Sequence, residues 1–539
     1  MNKKWIISLM CFCGMALSAV SKDRMNVVFI LADDLGWSDT TLNGTTDLYR
    51  TPNLERLAAR GMTFSHAYTA SPLCSPTRAS ILTGQTPARN GSVRPQHHLK
   101  TVRMKSQVAA SAPPSAKALD CESVTRLDTK FPTLGKMFKS AGYATAHFGK
   151  WHLGPEPYSP LQHGFDVDLP HTPGPGPAGS YLAPWTFGAD PQSRGFKEKT
   201  PLEHIEDRMG DEAVQWLQSL SEDQPFFMNY WMFSVHGPLD AKPDLVEKYR
   251  KLVKPGSGQQ SPTYAAMIQS MDKAVGKLLD AVDAAGVADR TIIIFMSDNG
   301  GVTHLGLLET DADGKKYKTA ATSNTPLRGG KATIYDGGIR VPCVVVWPGV
   351  TKPGSKSDAM IQSTDFYPTL LNGLGISLPD DWTLDGRDFS RALRGKSFDR
   401  DPVITYFPYG PHVADWLPPS AAVHVGDWKL IRLFWQGENG AHDYRLYNLK
   451  EDIGEKQNLA EKYPEKVSEM DRLISRHLEE TAAVLPQPNP AFDPSKYQPD
   501  QIGVQAGGGL NMRAQIFRGP DGTKIEKPAQ KKKQGKSRE

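Results

Sequence analysis

Met25-Asn-Val-Val-Phe-Ile-Leu-Ala32, followed at once by Asp33-Asp34, decides how this chain is read. Its nearly unbroken apolar, β-branched run is the pattern of a strand buried on both faces of a sheet. Acidic residues directly beyond such a strand lie where open α/β sheets build their sites. The construction recurs: residues 143–148 run into Gly149-Lys150-Trp151-His152, residues 225–234 into Val235-His236-Gly237-Pro238, and residues 291–296 into Ser297-Asp298-Asn299-Gly300-Gly301. Helical patterns with Pro at the start or Gly at the end intervene, as in residues 51–60 and 131–142. The expected fold is therefore α/β, with a large mixed, mostly parallel sheet sandwiched by helices.

Pro72-Leu-Cys-Ser-Pro-Thr-Arg-Ala-Ser-Ile-Leu-Thr-Gly84 reads as a loop entering a short helix, with Gly84 placed to stop it. Cys74 then sits at a helix N-terminus, where free N–H groups favour an anion, and Arg78 lies one turn on, on the same face. Arg328-Gly-Gly-Lys331 offers two glycines for close backbone approach and a cation beside them. Asp33, Asp34, Asp298 and Asn299 can supply several oxygen ligands to one hard cation. Each motif has an ordinary alternative when taken singly. One aspartate could cap the next helix, Asp298-Asn-Gly could be a plain turn, and Cys74 could be a core thiol. Five such clusters in one α/β chain are hard to explain separately.

Beyond residue 384 the pattern changes to short strands near residues 402–407, 421–425, 428–434 and 444–447, then a helix over 465–480. This predicts a C-terminal subdomain, residues 385–485, with a small antiparallel sheet and one helix. Residues 486–539 end in a basic stretch and are expected to be an extended or disordered tail. At the other end, residues 1–19 carry a basic start, an apolar segment and small residues, the pattern of a cleaved signal peptide. That makes a secreted or periplasmic protein the expectation, with no membrane span. A net charge of +4 over 539 residues argues against nucleic-acid binding by global charge. Cys74, Cys121 and Cys343 are too few for a disulfide scaffold, and whether the last two pair is open.

Cys74-Ser-Pro-Thr-Arg78 with Ala-Ser-Ile-Leu-Thr-Gly84, and Gly142-Tyr-Ala-Thr with Gly149-Lys-Trp-His152, closely resemble the two signatures of type I sulfatases of the alkaline phosphatase superfamily. The resemblance extends over about residues 26–480, with residues 25–384 as the catalytic domain. It implies that a formylglycine-generating maturation enzyme converts Cys74 to formylglycine, whose hydrate attacks sulfur. It implies one divalent cation, calcium or else magnesium, held by Asp33, Asp34, Asp298, Asn299 and residue 74. Arg78 and Lys150 would then position the hydrate, His236 and Lys331 grip the sulfate, and His152 deprotonate the remaining hydroxyl. A sulfated carbohydrate, a glycosaminoglycan or algal polysaccharide fragment, is the expected substrate. Long irregular stretches over residues 89–130 and 155–199 supply His97, His98, His171 and Trp185 as candidate sugar contacts, with Asp240 beside them. A phosphonate monoester or phosphodiester hydrolase is the nearest alternative, and an inactive carbohydrate-binding homologue the next.

Overall fold

The structure, a computed structural model, describes residues 24–177, 179–187, 196–400, 402–504, 510–519 and 521–525. The expected signal peptide lies outside these residues. In chain order the main sheet contains β1 (Asn26–Ala32), β2 (Met62–Tyr68), β3 (Ala144–Gly149), β4 (Val167–Leu169), β5 (Phe226–Trp231), β6 (Thr291–Ser297), β7 (Arg340–Val346), β8 (Ser355–Ser357) and β9 (Ile361–Gln362). They lie side by side as β8-β2-β7-β6-β1-β5-β3-β4, with β9 also pairing β2. From β6 through β1, β5 and β3 to β4 every pairing is parallel, whereas β7 is antiparallel to both β6 and β2.

The helices that position the site are α1 (Pro52–Arg60), α2 (Cys74–Thr83), α3 (Ile205–Ser219), α4 (Pro262–Ala284) and α5 (Phe366–Gly373). Because successive strand residues point to opposite faces, β1 serves two cores at once. Val28 and Ile30 pack with Met209 of α3 and Met267 and Met271 of α4. Val27, Phe29 and Leu31 pack with Ile81 and Leu82 of α2 and with Phe366 of α5. Each such side chain contributes roughly 1.5–3 kcal/mol by leaving water, so the unalternating sequence of β1 is what a strand between two helical layers requires.

The second sheet contains β10 (Val403–Phe407), β11 (Ser420–Val425), β12 (Trp428–Leu433) and β13 (Asp443–Asn448), antiparallel throughout, with α6 (Pro464–Glu480) on one face. Val423 and Leu430 meet Met470 and Ile474 of that helix. On the opposite face Ala422 and Ile431 meet Leu73 and Ile334, the immediate neighbourhoods of Cys74 and Lys331. A buried ion cluster joins the two parts, with Lys429 Nζ 2.8 Å from Asp336 Oδ1 and 2.7 Å from Glu455 Oε1. The small sheet therefore braces the loops that carry the site.

Of the expected tail, residues 505–509, 520 and 526–539 lie outside the described residues, and parts of the described remainder pair with the body of the protein. Gln487–Pro488 pairs with Ala118–Leu119, and the segment around Asn511 to Gln515 bridges to Leu305 and Leu239. These bonds run backbone to backbone, which any sequence can supply, so the segment carries no apolar period to betray it. Cys121 and Cys343 are separate buried free thiols. Among the described residues no helix is long and apolar enough to cross a membrane.

At Gly300, which closes the turn after β6, a Cβ would lie 1.8 Å from the carbonyl oxygen of Gly337. Gly300→Ala should cost about 1–3 kcal/mol through forced backbone movement, read as a lowered Tm. At Gly258 the nearest atom would be 3.5 Å away, and Gly258→Ala should leave Tm nearly unchanged.

Candidate active site

Parallel strands end on the same edge of a sheet, so β1, β3, β5 and β6 deliver their terminal side chains to one place. The ladder continues one step past the strands and aligns them. Asp33 N donates to Ser234 O at 2.8 Å, Asp298 N to Ala32 O at 3.0 Å, and Lys150 N to Trp231 O at 2.7 Å. Asp34 and His152 adopt left-handed φ values of 64° and 56°. For a non-glycine residue this is a strained conformation costing about 1–3 kcal/mol, held here by the surrounding packing. Helix α2 begins at Cys74 itself, after extended Leu73, and ends at Gly84 with φ 68°, as its sequence predicts.

Three carboxylates and three cations meet in this space. Lys150 Nζ donates to Asp33 Oδ2 at 2.6 Å. Arg78 Nε donates to Asp298 Oδ2 at 2.8 Å, and Nη1 to Lys150 O at 2.6 Å. Lys331 Nζ lies 2.7 Å from Asp34, while Asn299 Nδ2 donates to Asp34 Oδ1 at 2.8 Å. Lys331 arrives on the glycine pair as expected: Gly329 has φ 70°, and a Cβ on Gly330 would lie 2.4 Å from Gly301 O. The Asp33, Asp34, Asp298, Arg78 and Lys150 side chains are all buried.

Cys74 Sγ lies 3.4 Å from His152 Nδ1, and His152 Nε2 is 2.9 Å from His98 Nδ1. Burial, reinforced by Lys150, pushes His152 well below its ordinary range, and burial with Lys331 takes His236 down to about 3. Both imidazoles are therefore neutral. Burial, then the charge of Asp33, raises Asp298 to about 6. Burial also raises Asp33 despite Lys150. Asp34 is held below the usual carboxylate range because the positive charge around it, that of Lys331 foremost, outweighs its burial. The Cys74 thiol is pushed up by burial, so as a thiol it is protonated and a weak nucleophile.

A hard divalent cation fits these residues. Asp33, Cys74 and Asp298 bring ligand atoms within 4.8 Å of one another. Asp33 Oδ1 and Asn299 Oδ1 are buried with no hydrogen-bond partner among the described residues. Carboxylate and amide oxygens are the donor set that calcium and magnesium take.

All ten residues expected in the catalytic and metal centre, Asp33, Asp34, Cys74, Arg78, Lys150, His152, His236, Asp298, Asn299 and Lys331, converge here. His98 joins them through His152. The other four expected sugar contacts are placed elsewhere. His97 is wholly buried, its Nε2 3.3 Å from Ser92 Oγ. His171 is buried between Asp168, 2.7 Å away, and Glu156, 3.6 Å away. Asp240 is 1% exposed and gripped by Arg518. Trp185 packs on Phe187 and Phe196 and does not line the cavity of about 800 Å³ above Asp34, His236 and Lys331. Sequence reasoning missed His304, Arg513 and Lys524, which do line it. The basic character of residues 513–524 was the available signal.

The sulfatase family model matches residues 25–376, 352 of the 539 residues. This chain belongs to the sulfatase family. A second model, N-sulphoglucosamine sulphohydrolase C-terminal, matches residues 330–483 of this sulfatase, the region of the small sheet. A sulfatase from Formosa agariphila is 31% identical over 84% of this chain and 87% of its own length. The N-acetylgalactosamine-6-sulfatase of Homo sapiens is 28% identical over 86% of this chain and 87% of its own. The solved structure of Ps i-CgsB is 26% identical, covers 84% of this chain and 93% of its own, and superposes with a TM-score of 0.66. The fold is alkaline-phosphatase-like, and the sulfatase is a sulfuric ester hydrolase.

Removing Arg78 strands the buried Asp298 carboxylate. Arg78→Leu should destabilise the apoprotein by about 3–5 kcal/mol, measured by denaturant unfolding in chelator.

Proposed function

We propose that this sulfatase hydrolyses sulfate esters on carbohydrates, with residue 74 as formylglycine and one calcium or magnesium ion. The observation that carries the reading is Cys74 Sγ at the start of a buried helix, clustered with Asp33 and Asp298 and 3.4 Å from a neutral His152. Cys74 Sγ marks where an oxygen of the hydrate would stand. The carbohydrate class is supported by relatives named N-acetylgalactosamine-6-sulfatase, and by Ps i-CgsB solved with a neocarrahexaose. Cys74 is 2% exposed, so the maturation enzyme has to reach it before α2 is packed. Export to the periplasm or the exterior goes with this substrate class.

Bound by Asp33, Asp34, Asp298 and Asn299, the cation would withdraw charge from the sulfate group as a Lewis acid. A hydrate at residue 74 would offer one hydroxyl as nucleophile and a second whose deprotonation would release sulfate. The chain's own groups handle the protons. Asp298, raised to about 6 yet still mostly ionised at neutral pH, accepts the proton of the attacking hydroxyl. His152 Nδ1 faces residue 74 and takes the proton of the other, its ring held from behind by His98. His236 Nδ1 lies 2.5 Å from the Gly237 carbonyl, which places a proton on Nδ1 and leaves Nε2 toward Asp34. Lys331, kept protonated by Asp34, is then the resident donor to the departing alcohol oxygen.

A panel of aryl sulfate, aryl phosphate and aryl phosphonate esters, followed by monosulfated sugars of defined position, tests the reading. The sulfate ester should be the fastest aryl substrate. Cys74→Ala should lower kcat by at least about a thousand-fold, as loss of a nucleophile does. Faster turnover of the phosphonate ester would transfer the chain to its nearest alternative. Mass spectrometry of the peptide holding residue 74, after expression with a maturase, should show an aldehyde in place of the thiol; a purely unmodified cysteine in active protein would sink the formylglycine assignment.

Metal removal gives a separate readout. Chelation should lower Tm, and calcium at about a hundred times its Kd should restore roughly 2.7 kcal/mol.

A further inference from the structure

His98 meets the catalytic centre from behind, through the ring of His152. Its Nδ1 lies 2.9 Å from His152 Nε2, while His152 Nδ1 lies 3.4 Å from Cys74 Sγ. The two rings are tilted by 38° with centroids 5.1 Å apart, which suits a nitrogen-to-nitrogen hydrogen bond rather than a stack. The loop that carries His98 is held on both sides of it. Arg126, 4% exposed, donates to His97 O at 3.2 Å and to Leu99 O at 2.8 Å, the carbonyls that flank His98. Thr125 Oγ1 donates to Thr101 O at 2.7 Å and accepts from Arg103 N at 2.7 Å. His152 is fixed as well, its carbonyl accepting from Ser75 Oγ at 2.8 Å. Both rings therefore stand on tethered backbone, and their contact is a built feature of the fold.

A neutral imidazole carries one hydrogen, and the partner of one nitrogen decides what the other can do. His152 is 1% exposed, and among the described residues His98 is the partner of its Nε2. Two arrangements are open. If His98 Nδ1 donated, His152 would carry its hydrogen on Nδ1 and aim it at sulfur, a weak acceptor, leaving the thiol hydrogen with no acceptor on that ring. If His98 Nδ1 accepts, the hydrogen sits on His152 Nε2 and the lone pair on Nδ1 faces residue 74. The Cys74 thiol, kept protonated by burial, then donates into that lone pair. His98 itself is exposed, so its remaining N–H reaches water. Only the second arrangement gives each of the three groups a good acceptor.

We propose that His98 is a positioning residue that accepts from His152 Nε2–H and thereby keeps the lone pair of His152 at Nδ1, aimed at residue 74. The catalytic consequence rests on the sulfatase reading, in which that lone pair takes a proton. The tautomer itself does not depend on it.

The test begins with full-length protein expressed without a maturase and isotope-labelled at its histidine nitrogens. Long-range proton–nitrogen spectra report which ring nitrogen carries the hydrogen, and the His152 signals are assigned by their loss in His152→Gln protein. Wild-type His152 should carry its hydrogen on Nε2. His98→Asn keeps an acceptor, its amide oxygen, close to the position of Nδ1 and should preserve that form. His98→Leu and His98→Ala remove the acceptor and should bring up the Nδ1–H form. In matured protein the Leu and Ala variants should lose about ten- to a hundred-fold in kcat, as loss of an orienting partner does, with KM nearly unchanged. The Asn variant should recover most of that loss. A wild-type His152 with its hydrogen on Nδ1, a tautomer indifferent to the loss of His98, or an Asn variant no better than the Leu one overturns the proposal. So does a raised KM at unchanged kcat, the mark of a sugar contact. If the matured wild type hydrolyses no sulfate ester, the sulfatase reading falls while the spectra still decide the tautomer.

Discussion

Three buried carboxylates, Asp33, Asp34 and Asp298, stand close enough that none of them tolerates the others without Lys150, Lys331 and Arg78. A buried charge left alone costs several kcal/mol, and removing any one partner leaves that cost uncompensated. The constraint explains why the site draws on so many separate pieces of chain. Arg78 comes from the first turns of α2, Lys150 from the end of β3, and Lys331 from the loop that follows a glycine pair. Only a fold that brings all three to one sheet edge can bury these aspartates, and that fold is then committed to an anion-handling site.

With charges balanced in the protein alone, a divalent cation among the same oxygens would leave a surplus of positive charge for an anionic ester. The orphaned oxygens of Asp33 and Asn299 are part of the same arrangement. A polar atom left unpaired in so buried a place is costly, and a cation bound there would offset that cost. The small C-terminal sheet contributes by packing rather than by chemistry. Ala422 and Ile431 press on Leu73 and Ile334, so the nucleophile helix and the Lys331 loop rest against one rigid face. The cavity thus divides into a floor set by strand ends and walls set by loops and by residues 513–525.

Much of this was legible in the chain itself. The strands with polar residues just beyond their ends, the Cys-x-Pro-x-Arg helix start and the Gly-Gly-Lys loop each encode their geometry over a few neighbouring residues. A strand end inherits its position from the sheet, and a helix N-terminus carries its own electrostatics. The sugar contacts were a different matter. His97 and His98 are adjacent and equally plausible, yet one is buried against Ser92 and the other meets His152. Asp240, which looked like a ligand group, is spent on Arg518, 278 residues away.

Sequence alone determined the α/β class, the second antiparallel sheet and the ten polar residues that the structure gathers at one sheet edge, because those features rest on local periodicity, helix termini and strand ends. The tertiary structure alone decided which histidine meets His152, that Cys121 and Cys343 stay apart, and that residues 513–517 return as a wall beside Lys331. Those outcomes depend on backbone pairing and ion pairs between segments hundreds of residues apart, and the side chains concerned carry no periodic mark of where the chain will bring them.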